Sequence, residues 1–356
     1  MAWSFIQQVK WRGGTPLRDS THVVFLAWNQ HPLSVVGMIT QWQPEPMKRV
    51  YSTPLQYLTL EAPFDARFEY VLTTEYMDNF RDPLNNDYWA NEDRGRSIVR
   101  MPGWHDATCA FRRENVPRGK IDTLTVFSLS LGYERTVLVY QPPDYHPSRI
   151  RPYPLLLAGD GRAAVLGGQM TTVLDNLIAD GKIDPPIVVF ISTDDARRWR
   201  EYGGRREWRQ FVTLELLPLI SDWYHITAQR EQTAIFGVSR GGLMAVDLAL
   251  HESDRFGLLA AFSPALDDER SAIIAAYQQA ETFTVHTYVC LGYFEKGNSP
   301  EVERWLDVLR TRDCSVRYHQ GNDGHSWVYW RSELEPMLTW FFPPVAETEN
   351  MLQEAR

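Results

Sequence analysis

Residues 233–250 constrain the fold more than any other stretch of the chain. Thr233-Ala-Ile-Phe reads as a buried strand and Gly242-Leu-Met-Ala-Val-Asp-Leu-Ala-Leu as a helix, with Gly237-Val-Ser-Arg-Gly between them. A short apolar strand, a glycine-bracketed serine and a helix in immediate succession are what a nucleophile elbow requires. The turn is sharp, so small residues at Gly237 and Gly241 avoid clashes around Ser239. The hydroxyl is then expected at the C-terminal edge of a sheet, beside the N-terminus of the next helix. There the Arg240 N–H is a candidate oxyanion donor. The competing reading is a glycine-rich turn whose serine only caps the helix.

The chain around this motif changes character once. From about Gly119, strand-like runs alternate with longer helical patterns. Strand candidates are 124–129, 135–140, 155–158, 187–191, 233–236, 258–262 and 285–291. Several are continuously apolar, as strands covered on both faces by helices should be. Helix candidates are 168–180, 206–223, 241–251, 268–280, 299–312 and 333–341. The alternation predicts a mainly parallel sheet in a three-layer α/β domain. The first 110 or so residues read instead as short strands, among them Thr21–Trp28 and the cleanly alternating 67–73. Pro and Gly punctuation between them predicts a small β-sandwich. The expected division is a sandwich over 1–115 and an α/β domain over 116–356.

Composition excludes several classes. With 44% apolar and 23% charged residues the chain is of globular, not disordered, type. It carries no run of 18 apolar residues that would span a membrane. A net charge of −9 without a basic block argues against nucleic acid as a partner. Three cysteines, Cys109, Cys290 and Cys314, with no CxxC pair, predict neither a disulfide scaffold nor a zinc site. The histidines are scattered, and neither a catalytic metal nor another cofactor is expected. The start, Met1-Ala-Trp-Ser-Phe-Ile-Gln-Gln-Val-Lys, lacks a basic segment followed by an apolar core, so a cytoplasmic location is expected.

A serine at its ordinary pKa needs a base. After an elbow of this type the acid and then the histidine follow in chain order. His251 falls at the end of the elbow helix, and His286 and His319 fall in strand patterns. His325 stands in Gly321-Asn-Asp-Gly-His-Ser-Trp, a polar loop between a strand and a helix, and is the candidate base. Glu295, just past the strand 285–291, is the candidate acid that orients the imidazole. Asp323 is the next candidate, followed by Asp267 and Asp268. The second oxyanion donor is expected from the N–H of Gly161 or Arg162, in the glycine-containing loop after the strand 155–158.

These residues resemble a known group. Gly132-Tyr-Glu-Arg-Thr-Val-Leu-Val-Tyr-Gln-Pro-Pro-Asp-Tyr is similar to the opening strand of the esterase D-like α/β-hydrolases. Asp160-Gly161, Glu215-Leu-Leu-Pro218, the elbow, and Gly324, His325, Trp327 and Trp330 match that family's further motifs. The resemblance is strong over roughly 121–342 and looser before it. It points most to the enterochelin esterases, cytoplasmic enzymes that open ferric catecholate siderophores and carry an N-terminal β-sandwich. It implies an α/β-hydrolase three-layer sandwich preceded by a small all-β, immunoglobulin-like (early-set) domain. It further implies Ser239 as nucleophile, His325 as base and Glu295 as acid.

The implied substrate is a small-molecule ester, in the first place a ferric catecholate siderophore. Feruloyl, acetyl-carbohydrate and general carboxylic esters are the alternative, and a catalytically inactive ligand-binding protein is the reading from another class. Arg240 departs from the family pattern, in which smaller or aromatic residues follow the nucleophile. It suits an anionic acyl group or a metal chelate, or equally a salt bridge to a neighbouring acid. In Asp194-Asp-Ala-Arg-Arg-Trp-Arg-Glu-Tyr, Arg197, Arg198 and Arg200 are placed to clamp an anionic ligand or to pair with Asp194, Asp195 and Glu201. Trp327 is a further substrate-contact candidate. Phe68-Glu-Tyr-Val followed by Asp82-Pro-Leu-Asn resembles glycogen-binding modules. There Trp28, Trp42, Trp89 and Trp104 either stack on a ligand or, the preferred reading, fill the core.

Overall fold

The computed structural model describes residues 2–11, 14–88, 95–266, 272–280, 283–312 and 314–344. Two compact units emerge. The first comprises Met1–Asp106 together with two later segments, Gly292–Lys296 and Gln320–His325. The second comprises Ala107–Leu291, Gly297–His319 and Ser326–Arg356.

The first unit opens with a helix, α1 (Ala2–Trp11). Its strands are β1 (Leu17–Arg18), β2 (His22–Trp28), β3 (Leu33–Gly37), β4 (Glu45–Pro46), β5 (Lys48–Arg49), β6 (Leu55–Glu61), β7 (Arg67–Thr74), β8 (Asn79–Phe80) and β9 (Ser97–Arg100). They form two antiparallel sheets, β1-β2-β6-β5 and β4-β3-β7-β8, with β9 also paired to β7. Alternate residues of β2 explain its all-apolar sequence. Val23, Phe25 and Ala27 enter a core with Val35, Phe68, Tyr70 and Val99. Val24 and Leu26, on the other face, pack with Ile6 and Val9 of α1. The strand-only reading of this region missed that helix.

The Asp-Pro-Leu-Asn turn is an internal anchor of this unit. Buried Asp82 accepts hydrogen bonds from the Tyr70 hydroxyl (2.6 Å), the Thr15 hydroxyl (3.0 Å) and the Leu84 N–H (2.8 Å). Asn85 Nδ2 donates to the Tyr70 hydroxyl and to the Ile98 carbonyl. Burial raises the Asp82 carboxyl above its ordinary pKa, and burial together with the Asp82 charge raises the Tyr70 phenol. Trp28 packs in the cluster beneath α1. Trp42 and Trp104 lie under the guanidinium groups of Arg96 and Arg100. Trp89 lies outside the described residues.

The second unit is built on an eight-stranded sheet of β10 (Lys120–Ser128), β11 (Tyr133–Gln141), β12 (Leu155–Ala158), β13 (Ile187–Ile191), β14 (Thr233–Val238), β15 (Leu258–Phe262), β16 (His286–Gly292) and β17 (Val316–Gly321). The order is β10-β11-β13-β12-β14-β15-β16-β17. β13, β12, β14, β15 and β16 run parallel, while β10 and β11 are antiparallel. The helices are α2 (Gly161–Leu166), α3 (Met170–Ala179), α4 (Asp195–Glu201), α5 (Arg206–Gln210), α6 (Leu217–Trp223), α7 (Arg240–His251), α8 (Ile273–Gln279), α9 (Ser299–Arg310), α10 (Trp327–Ser332) and α11 (Leu334–Phe341).

Successive residues of the central strands enter different cores. Leu155, Leu157 and Ile235 pack with Leu243 and Val246 of α7 and Trp305 of α9. Leu156, Ala158 and Phe236 pack with Leu174 and Leu177 of α3 and Leu338 of α11. Each large side chain so buried stabilises the fold by about 1.5–3 kcal/mol, and a strand covered on both faces has no position left for a polar residue. Two expectations need correction. The helix expected over 206–223 is interrupted by a π-helical stretch, Phe211–Leu216, ahead of Pro218. Proline has no N–H to return to the preceding turn, so the turn widens. The segment 195–201, expected as a loop, is helix α4, because the Asp194 carboxylate caps it by accepting the Arg197 N–H at 2.8 Å. No helix among the described residues is long and apolar enough to cross a membrane.

Candidate active site

Backbone geometry presents Ser239. It follows β14 directly, with φ 56° and ψ −122°, and α7 starts at the next residue. A positive φ at a non-glycine residue costs about 1–3 kcal/mol, and it persists only where the surroundings enforce it. Here the Ser239 N–H donates to the Phe262 carbonyl (2.8 Å), and the Ser239 carbonyl accepts from Leu243 and Ala265. A Cβ at Gly237 would lie 1.9 Å from the Gly241 carbonyl oxygen, and one at Gly241 would lie 2.6 Å from Asp160 Oδ2. Gly237 therefore requires glycine, and a side chain at Gly241 would have to displace the Asp160 carboxylate. The serine side chain makes no capping hydrogen bond to α7, so the helix-cap reading of this turn has no support.

The loop after β12 lies against the elbow. Asp160 adopts φ 52°, and Gly161 opens α2 with no space for a Cβ, which would sit 2.6 Å from Phe190 Cβ. The Arg162 N–H donates to Ser192 Oγ at 2.9 Å. Of the two expected second oxyanion donors, Gly161 is therefore the one whose N–H is not drawn to that hydroxyl. Arg240 starts α7, so its N–H belongs to the first turn, whose amides lack intrahelical acceptors.

The arginines of α4 divide by role. Arg198 holds Asp160 in a two-pronged ion pair (2.7 and 2.8 Å) and donates to the carbonyl of Val238, next to the nucleophile. It belongs to the scaffold. Arg197 and Arg200 are exposed, with Arg197 also 3.5 Å from Asp194 and over the Tyr133 ring. Glu201 is taken by Arg135 and Tyr133. Buried Arg240 stacks on Trp199 at 3.5 Å from the ring centroid, an arrangement in neither sequence alternative. Trp199 itself is 62% exposed. The sequence marked it only as a neighbour of arginines, although an aromatic among three arginines is a usable signal for cation–π stacking. Trp327 packs edge-on to Trp330 and fills the space where side chains at Gly167 and Gly168 would stand.

The acid and base candidates meet. His325 Nδ1 lies 2.7 Å from Glu295 Oε2, with the carboxylate 7% and the imidazole 45% exposed. Glu295 Oε1 accepts the Gly292 N–H at 2.8 Å, which fixes the carboxylate. With Nδ1–H donated to the acid, neutral His325 carries its lone pair on Nε2. Asp323 is instead drawn to Arg67 (3.4 Å) and accepts the Gly324 N–H (2.6 Å). Asp267 and Asp268 lie outside the described residues.

Two of the other histidines weighed as base, His251 and His319, have structural partners. His251 contacts Asp247, and His319 lies 2.7 Å from Glu333, which also receives the Tyr288 hydroxyl. Hydrogen bonds to these carboxylates raise both imidazoles above the ordinary histidine value. Among the described residues no group of three or more His, Cys, Asp or Glu could hold a metal ion.

The chain as a whole is similar to known proteins. The model of the Esterase family ("Putative esterase") matches residues 128–341. The chain is 26% identical over 303 residues to an endo-1,4-beta-xylanase/feruloyl esterase of Xylanibacter ruminicola, covering 80% of this chain and 39% of that protein. It is 25% identical over 232 residues to an iron(III) salmochelin esterase of Escherichia coli, covering 59% of this chain and 55% of that one. The chain thus spans less than two thirds of the length of both relatives. The structure of the ferric enterobactin esterase of Salmonella typhimurium matches with a TM-score of 0.76 at 19% identity, over 94% of this chain and 98% of that chain. At that identity the likeness is one of fold.

Proposed function

The chain belongs to the Esterase family; from that premise we propose that it is an ester hydrolase working through an acyl-enzyme on Ser239, with His325 as base and Glu295 as the acid that orients it. Ser239 Oγ attacks the ester carbonyl carbon while His325 Nε2 takes its proton. The Arg240 and Gly161 N–H groups receive the oxyanion. The intermediate collapses, the C–O bond to the alcohol breaks, and the imidazolium returns the proton to the departing alkoxide. Water, deprotonated by the same imidazole, then cleaves the acyl ester and frees Ser239. Glu295 holds the Nδ1 proton throughout and stabilises the imidazolium. One observation carries the reading: a serine at positive φ between Gly237 and Gly241, in a chain that also holds an imidazole 2.7 Å from a buried carboxylate.

The substrate we propose is a catecholate siderophore ester. Support comes from the fold match to an enterobactin esterase over nearly the whole chain and from the exposed cations Arg197 and Arg200, which suit an anionic chelate. A feruloyl-type ester is the second reading, supported by the 26% identity to a xylanase/feruloyl esterase over 303 residues. The test compares wild type and Ser239→Ala on p-nitrophenyl butyrate, ferric enterobactin and a feruloyl ester. Loss of kcat by about 10⁶-fold on all three in Ser239→Ala supports the acyl-enzyme. Turnover surviving the substitution removes it, and the ratio of wild-type kcat/KM values ranks the two substrate readings.

A further inference from the structure

Asn322 and Asp323, just before the base candidate, rest on the outer face of strand β7, and this gives the sandwich a task in catalysis. Along β7, Phe68, Tyr70 and Leu72 fill the core of the sandwich. Arg67 and Glu69 point the other way and would be solvated in an ordinary two-layer sandwich, yet both are buried, Arg67 completely. What covers them is the segment Gln320–His325, which belongs to the same compact unit. The Arg67 N–H donates to the Asn322 carbonyl at 2.9 Å. Its guanidinium lies 2.9 Å from Glu69 and 3.4 Å from Asp323, and Arg96 closes the cluster on the far oxygen of Glu69 at 3.1 Å. Two guanidinium groups thus meet two carboxylates.

Asp323 connects this cluster to both catalytic candidates. Its carboxylate accepts the N–H of Gly324, the residue before His325. Its carbonyl accepts the N–H of Phe294, the residue before Glu295, at 3.1 Å. The Phe294 ring stands edge-on to Phe68 in the sandwich core, 5.3 Å between centroids. Clearance is minimal: a Cβ at Gly324 would lie 2.6 Å from Met38 Sδ, and one at Gly292 would lie 2.6 Å from the Asp323 carbonyl oxygen.

We propose that Arg67 is a positioning residue for the reaction: clamped by Glu69, it fixes Asp323 and through it the relative placement of His325 and Glu295. The sandwich is then the frame on which the acid–base pair is mounted. Arginine suits the task because its planar fork holds two carboxylates at fixed angles, which a lysine ammonium does not. The proposal rests on the reading of His325 as the base.

The test uses the full-length protein and p-nitrophenyl butyrate, with Arg67→Met, Arg67→Lys, Asp323→Asn and His325→Ala. Tyr70→Phe serves as the control, since it loosens a buried network of the same unit away from these loops. Two readouts separate positioning from folding: the division of the loss between kcat and KM, and the low-field proton resonance of the His325 Nδ1–H in ¹⁵N-histidine-labelled protein. In Arg67→Met and Asp323→Asn, kcat should fall about 100-fold at unchanged KM, the loss expected when a catalytic group is displaced by about 1 Å. The resonance should shift or vanish, Arg67→Lys should recover part of the loss, and Tyr70→Phe should keep both wild-type values. Removing one partner of a buried ion cluster can prevent folding; should Arg67→Met not fold, Asp323→Asn decides on the same readouts. Wild-type kcat and resonance in folded Asp323→Asn, or an equal kcat loss in Tyr70→Phe, overturn the proposal. Wild-type kcat in His325→Ala overturns the base assignment and this inference with it, whereas an inactive His325→Ala beside an unimpaired Asp323→Asn overturns the positioning role alone.

Discussion

The proposed nucleophile and the proposed acid–base pair are held in place by opposite means. Ser239 follows a fully buried strand, between glycines packed against backbone and the Asp160 carboxylate, at a backbone angle enforced by carbonyl and amide contacts. Its position depends on shape. Glu295 and His325 stand on segments tied to a strand face carrying Arg67 and Glu69, and their placement runs through four charged groups and the amides between them. Their position depends on charge. A shape-built element fails when volume is added, and a charge-built one fails when a single partner is neutralised.

The largest expected effect tests the charge-built side. Glu295→Gln keeps an oxygen for the Gly292 N–H but no longer secures the Nδ1–H tautomer of His325. We expect kcat to fall on the order of 10⁴-fold, equivalent to about 5.5 kcal/mol of transition-state stabilisation, with little change in thermal stability. A drop of less than tenfold would show that the imidazole needs no acid, and the contrast would lose one of its terms.

The shape-built side should answer to Gly237→Ala, which places a methyl group 1.9 Å from a backbone oxygen. A loss of about 3 kcal/mol or more in urea unfolding is expected. Gly297→Ala, whose Cβ would enter open space, should be nearly neutral. Equal urea midpoints for the two variants would mean that the elbow relaxes freely.

The smallest effect concerns a charge pair outside the proposed machinery. The His319 imidazole is raised by its hydrogen bond to Glu333. A raised histidine contributes stability that is fully present below its unfolded value of about 6.5 and is lost as pH rises through the folded value. The stability gap between wild type and His319→Gln should therefore shrink from pH 6 to pH 8. With the imidazole 58% exposed, screening limits it to a few tenths of a kcal/mol. A gap that widens with pH would reverse the sign and remove the pairing.

Much of this was legible from residue order alone. The elbow was legible because Ala234–Phe236 is continuously apolar and its serine is bounded by glycines, so strand, turn and helix follow from local sterics. Among the other parallel strands, β12, β13 and β15 were legible for the same reason, since strands buried on both faces leave an unbroken apolar signature. The resemblance to esterases rested on these same local motifs. The helix α4 was less legible, since its cap at Asp194 reads equally as a charged loop.

What the tertiary structure alone decided is concentrated on β7 and the segments around it. The alternation of Arg67-Phe-Glu-Tyr-Val-Leu-Thr reads as one buried and one solvated face. The polar face is buried because chain more than 220 residues later, Gly292–Lys296 and Gln320–His325, belongs to the same unit. Local periodicity reports what a strand offers to its two sides. It carries no record of which distant segment comes to lie there, since that is settled by charges and amides that find partners only after the chain has closed on itself. Glu295 stood ahead of Asp323 in sequence as the acid candidate, but only the folded chain gave Asp323 to the arginine and Glu295 to the imidazole.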